Sequence, residues 1–238
     1  MKVLVIIPAY NEEKSIVKVC TDLEKEKNNV DFTLDYIVIN DGSVDNTGKI
    51  CKENNFPVIN LVHNLGIGGA VQTGYKYAQR NNYDIAIQFD GDGQHDAGYI
   101  KKLVEPIQSK EFEMTIGSRY IEELSEFKST KLRQLGIKFL SVILKLTTKK
   151  KIYDMTSGFR AVNKDIIKIF ASDYPNDYPE PETLVAVIKR GYKVKEVAVK
   201  MHEREHGKSS ITPLKSIYYM VKVSYAMIVR SIIESRNK

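Results

Sequence analysis

Phe89-Asp90-Gly91-Asp92-Gly93-Gln94-His95-Asp96 is the stretch of this chain best equipped for chemistry, because the apolar run 85–89 empties there into acidic and amide side chains separated by glycines. In extended backbone Asp90 and Asp92 would share one face, and Gly91 and Gly93 would let the main chain turn and a ligand come close. Two hard oxygen donors at a strand end suit Mg²⁺ or Mn²⁺, with waters and a substrate's phosphates filling the remaining positions. The plainer alternative is an acidic turn that merely stops the strand. Deciding between them requires knowing what else the fold brings to that edge.

Apolar runs at 3–7, 34–39, 58–62, 85–89 and 114–116 read as short buried strands. Helix-like segments at 12–26, 45–53, 68–80 and 96–109 alternate with them, several opening near an Asn or Asp that could cap them. Such alternation implies crossover units, an α/β class and a mostly parallel sheet covered on both faces. Ligand sites in such sheets lie beyond the carboxyl ends of the strands. Pro8-Ala9-Tyr10-Asn11-Glu12 follows the first strand, Asn40-Asp41-Gly42-Ser43 the second, and His63-Asn64-Leu65-Gly66-Ile67-Gly68-Gly69-Ala70 the third. With the acidic turn they make four polar loops on one edge, the pattern of a nucleotide-type pocket. Gly66-Ile67-Gly68-Gly69 has neither a dinucleotide fingerprint nor a phosphate-loop lysine, and reads as a tight helix entry near the ligand.

The length of 238 residues and a composition 42% hydrophobic and 28% charged fit one soluble α/β domain. Cys20 and Cys51 have no metal-ligand spacing and read as buried, reduced thiols; the amino terminus shows no signal-peptide pattern. The net charge is +6, but residues 127–153 carry eight basic side chains and no acidic one, and residues 189–238 twelve basic against four acidic. The carboxyl-terminal half is therefore suited to an anionic surface. No groove-reading or stacking-aromatic motif points to nucleic acid, and anionic lipid is the better candidate.

The four loop motifs together resemble the family 2 glycosyltransferases of the GT-A fold. Gly117-Ser118-Arg119-Tyr120, Asp154-Met155-Thr156-Ser157-Gly158-Phe159-Arg160 and Arg204-Glu205-His206-Gly207-Lys208-Ser209-Ser210 are similar to the polyprenyl-phosphate and dolichol-phosphate sugar synthases within that family. The resemblance implies a single GT-A catalytic domain, residues 1–211, followed by an amphipathic helix, 212–238. It implies that Pro8, Tyr10, Glu12 and Asp41 hold the base and ribose of a UDP- or GDP-linked sugar, and that Asp92, with Asp90 and Gln94, holds the metal. Arg119, Arg133 and Arg204 resemble the family's phosphate-binding arginines, with Ser209 beside the last. A planar guanidinium can grip phosphate oxygens bidentately, although for Arg133 a solvated helix face remains an equal alternative.

Leu132, Leu135, Phe139, Val142, Ile143 and Leu146 recur at helical spacing among lysines. A basic amphipathic helix of this kind can lie in a membrane surface, or it can pack on the sheet. A second stripe follows Pro213, but Lys215, Lys222 and Arg230 interrupt it, so the enzyme should lie at the cytoplasmic face of a membrane without spanning it. Family members that carry transmembrane helices lead one to allow for a separate membrane partner here.

Glu180 and Glu182 stand at a helix entry where family members that glycosylate hydroxyls keep a catalytic base. Helix-start acids favoured by the dipole are the alternative. A hydroxyl acceptor needs such a base; a polyprenyl phosphate is already ionised and does not. Asp154 could orient the acceptor or an arginine in either scheme. The expectation is a metal-dependent, inverting transfer of sugar to polyprenyl phosphate. The alternatives are elongation of a lipid-linked or cell-wall glycan through a hydroxyl, a nucleotidyltransferase, and a non-catalytic nucleotide-sugar-binding protein.

Overall fold

The computed structural model describes residues 1–121, 131–202 and 213–236, the side chains of 131–135 and 213–217 excepted. In chain order the elements are β1 (Lys2–Ala9), α1 (Ile16–Glu26), β2 (Thr33–Asn40), α2 (Thr47–Glu53), β3 (Val58–Asn60), α3 (Gly66–Arg80) and β4 (Ile85–Gln88). A 3₁₀ turn (Ala97–Tyr99), α4 (Ile100–Gln108), β5 (Met114–Ser118), α5 (Lys131–Thr148), β6 (Arg160–Asn163), α6 (Lys164–Ser172), α7 (Pro179–Lys189), β7 (Val194–Ala198) and α8 (Pro213–Arg236) complete them. The strands form one sheet in the order β3-β2-β1-β4-β6-β5-β7. Strand β6 runs antiparallel to both β4 and β5, and every other pairing is parallel.

Helices cover both faces, which is why the central strands are apolar throughout and do not alternate. In β1, Val3, Val5 and Ile7 enter the core under α1 and α4, with Ile16, Val19, Leu23, Leu103 and Val104. Leu4 and Ile6 point the other way, into a core that α3, α5, α6, α7 and α8 close with Tyr75, Leu140, Phe170, Leu184, Val223 and Met227. Helix α1 buries Ile16, Val19, Cys20 and Leu23, a spacing that puts one stripe on the sheet. Both cysteines are buried and free.

Several boundaries differ from the sequence reading for local reasons. Helix α1 starts at Ile16 and not Glu12; the residues before it form a turn whose Glu12 and Glu13 N–H groups donate to Thr47 Oγ1 (2.9 Å) and Asp45 Oδ2 (3.1 Å). Residues 96–109 divide into the 3₁₀ turn, capped by Asp96 accepting from the Gly98 N–H, and then α4. Strands β6 and β7 were not expected: β6 (RAVN) has only two adjacent apolar residues, and β7 (VKEVA) is interrupted by Lys195 and Glu196, so neither shows an apolar run.

Helices α5, α7 and α8 run side by side in one direction. Tyr178 packs on Tyr219 with ring centroids 4.6 Å apart at one end of α7 and α8, and Arg190 pairs with Glu234 at the other. Gly136 faces Met220, and Ser231 Oγ donates to the Thr147 carbonyl at 3.5 Å, so α5 keeps the same sense beside α8. Of the apolar stripe expected on α5, Phe139, Val142 and Leu146 are exposed and Ile143 is partly buried, whereas the residues that enter the core are Ile137, Leu140 and Leu144. Helix α8 likewise buries Val223 and Met227 and exposes Tyr218, Val221, Tyr225, Ile228 and Ile232. Among the described residues no helix is long and apolar enough to cross a membrane.

The glycines at the start of α3 serve packing. The Gly68 N–H donates to the Asn176 carbonyl at 3.1 Å, and a Cβ at Gly68 would fall on the carbonyl oxygen of Pro175. Gly68→Ala should therefore destabilise the fold by at least the roughly 1–3 kcal/mol of an overpacked core. Urea unfolding at unchanged m-value reads this directly; a midpoint equal to wild type would contradict the close approach.

Candidate functional site

The carboxyl ends of β1, β2 and β4 bring the polar loops together as side chain meets backbone. Asn11, in the left-handed region at φ 58°, receives nothing from helix geometry, but its N–H donates to Ser43 Oγ (2.9 Å) and its Oδ1 accepts from the Val44 N–H (2.9 Å). Glu13 Oε2 accepts from the Asn46 N–H at 3.1 Å. Ser15 Oγ bridges Glu12 Oε2 and the Gly91 carbonyl, each at 2.8 Å, which links the first loop to the acidic turn. Asp41 is buried, and its Oδ1 accepts from the Leu65 N–H at 2.7 Å, holding the third loop against the second. Pro8 is buried in β1, and Tyr10 stands 48% exposed above it. Pro8, Tyr10, Glu12 and Asp41 thus share one strand-end surface with Asp90 and Asp92.

The acidic turn is held from several sides. Asp92 Oδ1 accepts from the Gln94 N–H at 3.0 Å, and the Gln94 carbonyl accepts from the His202 N–H at 2.9 Å. Asp90 Oδ2 lies 3.1 Å from His95 Nε2. Gly158 approaches from β6, so close that a Cβ there would stand 2.8 Å from Asp90 Oδ2 and 3.0 Å from Oδ1. Two carboxylates and an amide are donors fit for a hard divalent cation. Among the described residues no group of three or more His, Cys, Asp and Glu could hold an ion, so a cation there would draw its other ligands from water and substrate oxygens.

Beside this turn lies a buried polar layer that sequence reasoning did not find. Arg160, 2% exposed at the start of β6, donates from Nη2 to the Met155 carbonyl (2.6 Å), from Nε to the Ser157 carbonyl (2.7 Å) and from Nη1 to the Glu180 carbonyl (2.7 Å). Gln88 joins Tyr174 Oη (3.1 Å) to Glu180 Oε1 (3.4 Å). Arg160 was visible only as the last residue of the 154–160 motif, and Gln88 only as the polar residue within the 85–89 run. His95 was visible only as part of the acidic stretch.

The remaining candidates divide. Asp154 is fully buried, and Arg119 grips it with Nε to Oδ2 and Nη2 to Oδ1, both 2.7 Å, while the Arg119 N–H also donates to Oδ2 at 3.0 Å. Burial works against the charge of Arg119, but its hydrogen bonds and attraction to Asp154 prevail and raise its pKa above the ordinary value. Both backbone N–H groups of Tyr153 and Asp154 rest on the Glu196 carboxylate, at 2.9 and 2.8 Å. Asp154 therefore orients Arg119, one of the two roles open to it.

Glu180 and Glu182 are not brought together. Glu180 faces Gln88 and Asp90; Glu182 faces Arg230 and Asp173 and lines a pocket of about 260 Å³ with Tyr178 and Lys222 between α7 and α8. Burial pushes the pKa of both up; for Glu180 the charge of Arg160 opposes and that of Asp90 adds. Arg133 falls in α5, of which the backbone is described at that position, and Arg204 and Ser209 lie outside the described residues.

The glycosyl transferase family 2 model matches residues 4–170, which spans every strand-end loop described above and β6. The chain belongs to glycosyl transferase family 2. The transferase is 36% identical over 218 residues to the UDP-N-acetylglucosamine–dolichyl-phosphate N-acetylglucosaminyltransferase of Methanococcus voltae, covering 83% of this chain and 84% of that one. It is 25% identical over 233 residues to the polyprenol monophosphomannose synthase of Mycolicibacterium smegmatis, covering 94% and 86%. Its fold matches glucosyl-3-phosphoglycerate synthase from Mycobacterium tuberculosis, in complex with Mn²⁺ and UDP-glucose, with a TM-score of 0.71 over 97% of this chain and 79% of that one at 19% identity. The GT-A architecture and glycosyltransferase class read from the sequence hold.

A raised carboxyl pKa in the folded state means that Glu180 favours folding while protonated and loses that contribution as pH rises through its folded pKa. Glu180→Gln should therefore raise the melting temperature at pH 8, measured without added metal, and the gain should disappear below pH 4. A gain that grew towards low pH would reverse the sign of the shift.

Proposed function

We propose that the transferase moves a sugar from a nucleotide diphosphate to polyprenyl phosphate at a membrane surface, with inversion at the anomeric carbon. The likeness to two relatives named for dolichyl-phosphate and polyprenol acceptors, over more than four-fifths of the chain, carries this reading. The strand-end surface of Pro8, Tyr10, Glu12 and Asp41 takes the base and ribose, Tyr10 offering its exposed ring and Asp41 fixing the Leu65 loop beneath it. Asp90 and Asp92, with Gln94, would hold Mg²⁺ or Mn²⁺, which would stabilise the charge that develops on the departing diphosphate. The acceptor oxygen attacks in line, its new bond to the anomeric carbon forming on the face opposite the one that breaks, and the nucleoside diphosphate leaves. Arg119, oriented by Asp154, and the arginines of α5 and the 203–210 stretch balance and position the acceptor's phosphate charge.

One observation favours the hydroxyl-acceptor reading instead. A Glu180 carboxyl whose pKa burial pushes up beside the acidic turn takes a proton more readily than an ordinary carboxylate, as a general base must. Product analysis by mass spectrometry, with UDP- and GDP-sugars offered to polyprenyl phosphate or to a lipid-linked glycan, separates the two. For phosphate transfer, Asp92→Ala should abolish product and excess chelator should silence the wild type, while Glu180→Gln keeps substantial turnover. For hydroxyl transfer, Glu180→Gln should lower turnover by about 10²- to 10⁴-fold at saturating acceptor.

We also propose how the enzyme meets its lipid. Phe139, Val142 and Leu146 on α5 and Tyr218, Val221, Tyr225, Ile228 and Ile232 on α8 present two exposed apolar rows, and Lys138, Lys145, Lys149, Lys150 and Lys151 flank the first. Residues 131–148 contain no acid to oppose anionic headgroups. Since α7 runs parallel to both helices and brings Glu180 to Gln88, the amino ends of the rows lie at the catalytic edge. These rows support the reading of a peripheral enzyme at the cytoplasmic face, alone or beside a membrane protein. Binding to vesicles containing phosphatidylglycerol should fall with salt, and replacing Lys149, Lys150 and Lys151 by Gln should weaken it by roughly 1 kcal/mol for each lysine near the surface. Leu146→Glu should weaken it further. Equal co-sedimentation of all variants at low salt would remove the docking face.

A further inference from the structure

His95 has a place in the fold that packing alone does not account for. Its ring is 7% exposed and sits between Phe89 and Phe159, with centroids 5.2 and 4.9 Å away. An apolar ring would fill that slot without penalty. Instead the slot holds an imidazole whose Nδ1 is buried with no hydrogen-bond partner among the described residues. Burying such an atom unpaired costs stability. What the imidazole provides in exchange is Nε2, 3.1 Å from Asp90 Oδ2. With an ionised carboxylate as acceptor, Nε2 must carry the proton and donate it.

We infer that His95 is a positioning residue for the cation site: its Nε2–H fixes the Asp90 carboxylate in the orientation that the ion requires. The two phenyl rings hold the imidazole in register. One of them, Phe159, follows Gly158, whose bare Cα already borders the same carboxylate. Asp90 is thus set by a donor from its own turn and by a wall from β6, so the stretch 157–160 that anchors on Arg160 also shapes the cation site. This inference rests on the proposal that Asp90 belongs to that site.

Mn²⁺ binding to the otherwise unliganded protein, followed by electron paramagnetic resonance of the free ion, tests it independently of turnover. His95→Phe keeps a ring between Phe89 and Phe159 and deletes both nitrogens; His95→Gln keeps an N–H donor near the position of Nε2. Loss of a partner that orients a ligating carboxylate typically weakens metal binding about 10- to 100-fold. The expected result is a Kd for Mn²⁺ raised by that factor in His95→Phe, with a melting temperature at or above wild type, and a Kd restored to within about threefold in His95→Gln. An unchanged Kd in His95→Phe overturns the inference. So does a weaker Kd that comes with a lowered melting temperature and is not rescued by Gln, since that pattern belongs to packing. If the wild type itself binds no Mn²⁺, the cation site falls and this inference with it, whereas wild-type binding with an indifferent His95→Phe removes only the role of His95.

Discussion

The structure turns on the burial of one cation. Arg160 has almost no contact with water, and the guanidinium keeps its charge at any pH a protein meets. A buried charge is tolerable only when hydrogen bonds replace its hydration. Here the replacements are the carbonyls of Met155, Ser157 and Glu180, together with Thr183 Oγ1 at 3.3 Å. Three stretches of backbone are thereby held at fixed distances from β6: the turn that follows Asp154, the approach to Gly158 and the first turn of α7. The dependence is mutual, because the Met155 and Ser157 carbonyls would lose this donor if the arginine were lost.

From that anchor the two sides of the site follow. Gly158 is held where it borders Asp90, and Glu180 where it meets Gln88, so both belong to one buried layer under the acidic turn. The Arg119–Asp154 pair lies at the edge of the same layer, at the end of β5. A buried ion pair gives little net stability against its desolvation, but this one takes three hydrogen bonds and two further backbone donors resting on Glu196, and it fixes a guanidinium in one orientation. That rigidity keeps the guanidinium in place at the end of β5.

The helical half of the molecule has a different logic. Helices α5 and α8 bury one side in the core and leave apolar rows outside, an arrangement whose cost in water is offset when a lipid surface covers them, whereas the apolar side chains of α7 stay inside. Their common direction matters, since α7 is fixed to the site by Arg160 and Gln88 and carries the neighbouring helices into alignment with it. The strand-end site and these apolar rows are then joined by one rigid set of contacts.

The amino-acid sequence determined the parallel half of the sheet, the helices that cover it, and the four loops at its edge. Each of those loops immediately follows its strand, so local periodicity locates both, and the residue types at the loop reveal the chemistry. Family membership was legible for the same reason, as short motifs in order along the chain. What only the tertiary structure decided involves residues far apart in the chain: Arg119 with Asp154, Gln88 with Glu180, and Phe159 closing over His95. Antiparallel β6, inserted between β4 and β5, creates these meetings, and with only Ala161 and Val162 apolar between Arg160 and Asn163 it shows no run in the sequence. Glu180 and Glu182 show the limit most directly. Their spacing made them equivalent candidates at one helix entry, but two residues along a helix is roughly 200° of turn, which sends one carboxylate to the acidic turn and the other to α8.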